Sequence, residues 1–152
     1  MRWSWALTAL SASLLCYPVH QIEPPKAVLK TITLRILNGR SGKPVRNEFP
    51  NIWVAAATFH LVPAPRTDSK GEVVVDITEA QPYEIRVSPN YYVDCRFKGD
   101  QIIGADIKYS LGDVISTGVV ADNLCGTSHV LPTPGVLVLY VRPRTLKELW
   151  EL

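Results

Sequence analysis

The chain has 152 residues, 47% of them apolar and 20% charged, a composition suited to one globular domain with a sizeable core. Its 12 prolines and 9 glycines are too few for a collagen-like or low-complexity chain. A formal net charge of +2 excludes charge-driven nucleic-acid binding, and no run reaches the roughly 20 apolar residues of a membrane-spanning helix.

Met1 and Arg2 give a positive start to the uncharged, mostly apolar run from Trp3 to Cys16, the pattern of a secretory signal. The proline-rich stretch from Tyr17 to Pro25 cannot continue a helix and suits the exit into a mature chain. Residues 1–22 are therefore expected to be signal peptide and leader, and residues 23–152 a single secreted or periplasmic domain. A short apolar helix lying on a membrane surface is the alternative. Once Cys16 leaves with the signal, Cys95 and Cys125 remain, and an even count in an exported chain points to a disulfide between them rather than a reactive thiol.

Thr31 to Ile36 alternates polar and apolar residues, predicting a strand that runs into the turn-forming cluster Asn38 to Pro44. Ile52 to Val62, between Pro50 and Pro63, reads as one buried strand or, through its three alanines, as a helix. The alternation returns over Glu72 to Ile77 and Tyr83 to Val87, while Tyr91 to Phe97 and Gln101 to Tyr109 add two candidate strands. Gly112 to Gly118 has room for a single helical turn closed by Gly118. Val136 to Val141 lacks polar alternation, which predicts a central strand covered on both faces.

After Pro143, Thr145 and Glu148 have the spacing of a capping box. Leu146, Leu149 and Trp150 then share one face of a short C-terminal helix, expected to pack on the sheets or, alternatively, to dock on a partner or membrane surface. Short strands at this spacing predict an all-β, antiparallel sandwich.

Within Leu34 to Val45 and Thr67 to Val73, a first strand leads into the Gly-x-Pro-Val turn Gly42 to Val45, and a Thr-Asp-x-x-Gly hairpin follows at Thr67 to Gly71. Over residues 31–95 this pattern resembles the carboxypeptidase regulatory-like domains of the transthyretin-like, CnaB-like group. It departs from them at Arg46-Asn47 and in the length of Phe49 to Ala64. The resemblance implies an Ig-like or prealbumin-like sandwich acting as a non-catalytic accessory module. Ile115 to Gly126 and Pro134 to Pro143 look like small exported bacterial proteins of acidobacterial type, a likeness that implies no activity.

His20, His60 and His129 lie far apart with no metal-ligand spacing, and no nucleophile elbow or phosphate-binding loop is present. Asp94, Asp100, Asp106, Asp113 and Asp122 are frequent but form no Asp-x-Asp-x-Asp calcium loop, so no metal or other cofactor is expected. Trp53, Phe59, Tyr91 and Tyr92 could stack on a sugar, and Trp53, Tyr91 and Tyr92 are the candidate ligand contacts. The expected function is a non-catalytic extracytoplasmic binding or structural module whose partner is a protein or a carbohydrate. A small secreted hydrolase and a carbohydrate-binding accessory domain are the alternatives; a pocket holding converging carboxylates or a Ser and His pair, such as His60, His129 and an aspartate meeting in one cleft, would favour the hydrolase, and a flat surface with exposed rings the module.

Overall fold

The computed structural model describes residues 30–55, 59–77, 84–97 and 107–150. The expected signal segment, His20, Asp100, Asp106 and most of the candidate strand Gln101 to Tyr109 lie outside them.

Among the described residues, nine strands and two short helices follow in chain order. They are β1 (Lys30–Asn38), β2 (Asn51–Ala55), β3 (Phe59–Val62), β4 (Glu72–Ile77), β5 (Glu84–Ser88), β6 (Val93–Asp94), β7 (Lys108–Ser110), α1 (Leu111–Ser116), β8 (Val119–Val120), β9 (Val136–Arg142) and α2 (Leu146–Trp150). One sheet runs β4-β1-β9-β6, with β8 also alongside β9; the other runs β3-β2-β5-β7. Alternation decides which face each strand buries. Ile32, Leu34 and Ile36 of β1, Val73, Val75 and Ile77 of β4, and Leu137, Leu139 and Val141 of β9 meet Ile52, Val54, Ile85 and Val87 of the second sheet in one core. The chain is thus an all-β fold of two sheets packed face to face.

The turn chemistry is local and matches its residues. Asn38 Oδ1 accepts from the Arg40 and Ser41 amides at 3.0 and 3.1 Å, closing the loop after β1. Asp68 Oδ1 accepts from Lys70 N and Glu72 N at 2.7 and 2.9 Å, shaping the hairpin before β4. Ser110 caps α1 through Asp113 N, and Gly118, at φ 79°, ends it in the left-handed conformation that a side chain resists.

Four expectations are corrected. Ile52 to Val62 is neither one strand nor a helix: β2 and β3 pair antiparallel, with Ile52 and Val54 in the core while Leu61 faces solvent. Apolar residues at the outward positions conceal that alternation in the sequence. The sandwich is not wholly antiparallel, because β9 pairs parallel with β1 and with β8. Parallel neighbours need a long crossover, and between β1 and β9 it spans most of the chain, beyond the reach of local turn signals. Tyr91 to Phe97 contributes only the two residues of β6, because the backbone bends on either side of it. Lastly, the apolar face of α2 does not pack on the sheets: Leu146, Leu149 and Trp150 are 77%, 53% and 87% exposed. The helix is held by polar contacts instead, with Glu148 capping Thr145 N at 2.7 Å and pairing with Arg142.

Candidate functional site

The second face of β9 explains why this strand has no polar side. Val138 and Tyr140 point away from the main core and form a smaller cluster with Leu37 and Cys95, joined by the partly buried Val120, Cys125, Val130 and Val136. The segment from Val120 to Val130 lies over this cluster as a lid.

The expected disulfide holds that lid. Cys95 and Cys125 are bonded, with their Cα atoms 5.3 Å apart. Leu124 N donates to Cys95 O at 2.8 Å beside the bridge. Asn123 uses both ends of its amide: Nδ2 donates to Gly39 O and Ser128 O at 2.8 and 2.9 Å, and Oδ1 accepts from Cys125 N at 3.2 Å. The approach of lid to β1 turn needs small residues, since a Cβ on Gly126 would stand 2.5 Å from Gly39 O and one on Gly39 2.5 Å from Asn123 Oδ1.

Where the lid meets the end of β9, the surface opens into a pocket of about 280 Å³. Asp122, Asn123, Thr127, Ser128, His129 and Tyr140 contribute its polar groups. Asn123 is committed to holding the lid. The side chains of Asp122, Thr127, Ser128 and His129 make no hydrogen bond or ion pair among the described residues, though the Asp122 charge acts on Tyr109, and no lysine or arginine is among the lining residues described. Tyr140 is the unusual member. It is fully buried, with its ring in the small apolar cluster, yet its hydroxyl makes no hydrogen bond. Burial raises the phenol's pKa above its ordinary value; the nearby Val130 backbone offsets part of that without reaching hydrogen-bonding geometry. An unpaired buried hydroxyl costs about 1–3 kcal/mol.

A polar tie anchors the neighbouring end of the molecule. Arg96 is 9% exposed, and its guanidinium forms an ion pair with Asp94. It also donates to Val87 O at 2.7 Å and to the Tyr109 hydroxyl at 3.1 Å, linking the residue next to the disulfide to the second sheet. Burial acts to lower the Arg96 pKa, but the Asp94 carboxylate outweighs it and raises it. A second buried acid, Glu48, receives the Asn90 and Tyr91 amides on Oε1 and so fixes the bend before β6, while its Oε2 has no partner.

The three candidate aromatics differ in their surroundings. Tyr92 packs against the main core, Tyr91 is 53% exposed with the Arg66 guanidinium 5.7 Å from its ring centre, and Trp53 is half-buried on β2 opposite Leu61 and Arg86. Of the histidines, His129 joins Asp122 in the pocket and His60 is placed on β3. No group of three or more metal-ligating side chains occurs among the described residues, and no helix among them is long and apolar enough to cross a membrane.

No protein-family model and no curated protein matches the chain. The site therefore stands on its own geometry. Sequence reading missed Tyr140, Thr127 and Ser128 as site residues. The available signal was the run Asp122 to His129, in which five polar side chains surround Cys125.

Proposed function

We propose that this protein is an exported, non-catalytic β-sandwich module that binds a small ligand in the pocket under the disulfide-pinned lid. One observation carries the reading: Asp122, Thr127, Ser128 and His129, which make no hydrogen bond among the described residues, line a pocket whose walls are fixed by a disulfide and by Asn123. Preorganised walls reduce the ordering cost of binding. Export is supported by the charged and apolar N-terminal pattern together with the disulfide, which persists in oxidising compartments. The turn motifs at Gly42 to Val45 and Thr67 to Gly71 support an Ig-like or prealbumin-like, carboxypeptidase regulatory-like module, and such modules serve as accessories.

Ser128 and His129 share the pocket with Asp122, the pairing that the hydrolase alternative needs, and the binding reading is preferred because the three form no hydrogen-bonded relay among the described residues, the arrangement that activates a nucleophile. Amide chemical-shift mapping on the labelled protein, with mixtures of small sugars, amines and carboxylates, tests this. Shifts should gather at Val120 to Val130 and Tyr140 with every added compound recovered unchanged. Shifts confined to the Trp53 and Tyr91 surfaces, or conversion of a compound, would refute it.

A further inference from the structure

A helix of five residues has no stability of its own, yet the fold fixes α2 in place with its apolar face turned to solvent. Thr145 and Glu148 cap it, and Glu148 pairs with Arg142 at the end of β9. That pairing turns the acid of the helix inward. The second acid at this end, Glu48, is fully buried and receives the Asn90 and Tyr91 amides. The arginines beside them stay at the surface. Arg144, partly exposed, donates to Asn90 O at 3.1 Å; Arg66, exposed, donates to Asn47 O at 3.1 Å and lies over the exposed ring of Tyr91. Neither has a carboxylate partner among the described residues. The bend at Asn90 and Tyr91, which both arginines touch, thus joins the exposed apolar helix to two uncompensated cations.

Size and charge select the occupant. A stable protein interface covers roughly 800 Å² on each partner, far more than Leu146, Leu149 and Trp150 can supply, so a second copy or a globular partner is poorly served. A bilayer interface needs only the side chains that enter it. Tryptophan settles at the headgroup level, leucine reaches the acyl boundary, and arginine meets anionic headgroups. We infer that this end of the protein rests on an anionic phospholipid surface, with Trp150, Leu146 and Leu149 entering the interface and Arg66 and Arg144 against the headgroups. On so short a helix, insertion and charge must act together, since one weak anchor gives only marginal, reversible attachment. The inference uses none of the residues that line the pocket under the lid.

The test is co-sedimentation of the full chain with vesicles of equimolar phosphatidylglycerol and phosphatidylcholine, beside vesicles of phosphatidylcholine alone. The protein should favour the anionic vesicles, and salt should weaken that preference. Leu146→Ser, Leu149→Ser and Trp150→Ser together should weaken binding about tenfold or more, with a thermal midpoint close to the parent's because these side chains already face water. Arg66→Gln and Arg144→Gln should each cost about fivefold on the anionic vesicles and nothing on the others. Trp150 reports insertion directly: the fluorescence lost in Trp150→Phe should be the part that shifts to the blue when vesicles are added. Binding unchanged by the apolar substitutions would place the contact in another segment, such as Trp3 to Cys16, and overturn the inference. Failure to bind either vesicle would do the same. A loss in the apolar variant with none in the arginine variants would overturn the anionic class. A dimer, seen without vesicles and abolished by the apolar substitutions, would show a second copy as the occupant instead.

Discussion

Arg96 is the side chain on which two distant parts of the fold depend. Its charge is buried, paired with Asp94 and hydrogen-bonded to Val87 O and Tyr109, so removing it strands a carboxylate in a largely desolvated site. Breaking such a pair by deleting one partner costs about 3–5 kcal/mol, whereas losing the Tyr109 hydroxyl removes one bond worth about 1 kcal/mol or somewhat more. Urea denaturation should rank the variants in that order, with Arg96→Ala far below Tyr109→Phe; equal losses would show that the ion pair is not the stabilising element. Tyr109 and Tyr140 also set an alkaline limit. Burial raises both phenol pKa values, with Arg96 partly opposing it at Tyr109. A raised pKa in the folded state means stability is intact below the ordinary phenol value of about 10 and falls as pH rises through the folded value. Melts followed from neutral to strongly alkaline pH should lose midpoint above that value, and Tyr140→Phe should lose less.

Among the elements, α2 and β9 stand at opposite extremes. The helix has five residues, a capping box and an exposed apolar face, so its removal takes away one partly exposed ion pair and little buried surface. Truncation after Arg144 should lower stability by about 1–3 kcal/mol in a thermal melt, the worth of the charge-assisted Glu148 bonds and not of buried apolar surface. Within the intact helix, Arg142 and then the Thr145 amide hold the Glu148 carboxyl far below the usual carboxylate range. The lowered pKa means that its contribution stands at and above that range and is lost only in stronger acid; a carboxyl NMR titration should find Glu148 ionised after the ordinary glutamates have protonated. β9 is flanked by β1 on one edge and by β6 and β8 on the other, and Leu137 to Val141 are all buried. Leu139→Asp should leave no cooperative thermal transition, since an unpaired buried charge costs more than a domain's typical 5–15 kcal/mol margin can absorb alongside the lost packing.

At the scale of the molecule, the disulfide joins what β-pairing alone leaves loose. Cys95 and Cys125 are 30 residues apart, and closing a loop of that length stabilises by about 3–4 kcal/mol on the chain-entropy model. The paired Cys95→Ala, Cys125→Ala variant should lose about that much in denaturant unfolding, and its lid amides should exchange faster than those of the main core. A lid still protected as in the parent would show that Asn123 and the glycine contacts hold it unaided.

Local features were legible in the residues alone. Alternation over Thr31 to Ile36 and Glu72 to Ile77 placed their inward faces, the side chains of Asn38 and Asp68 set their turns, and Thr145 with Glu148 capped a helix, because each depends on residues a few positions apart. The even cysteine count named a bridge that the fold forms. Only the tertiary structure decided the rest. Which strand lies beside β9, whether α2 finds a surface, and where Tyr140 meets Asp122 and His129 all depend on contacts between residues distant in the chain. Such contacts leave no periodic trace: a tyrosine inside an apolar run reads as core, and its unpaired hydroxyl emerges only when the lid is laid over it.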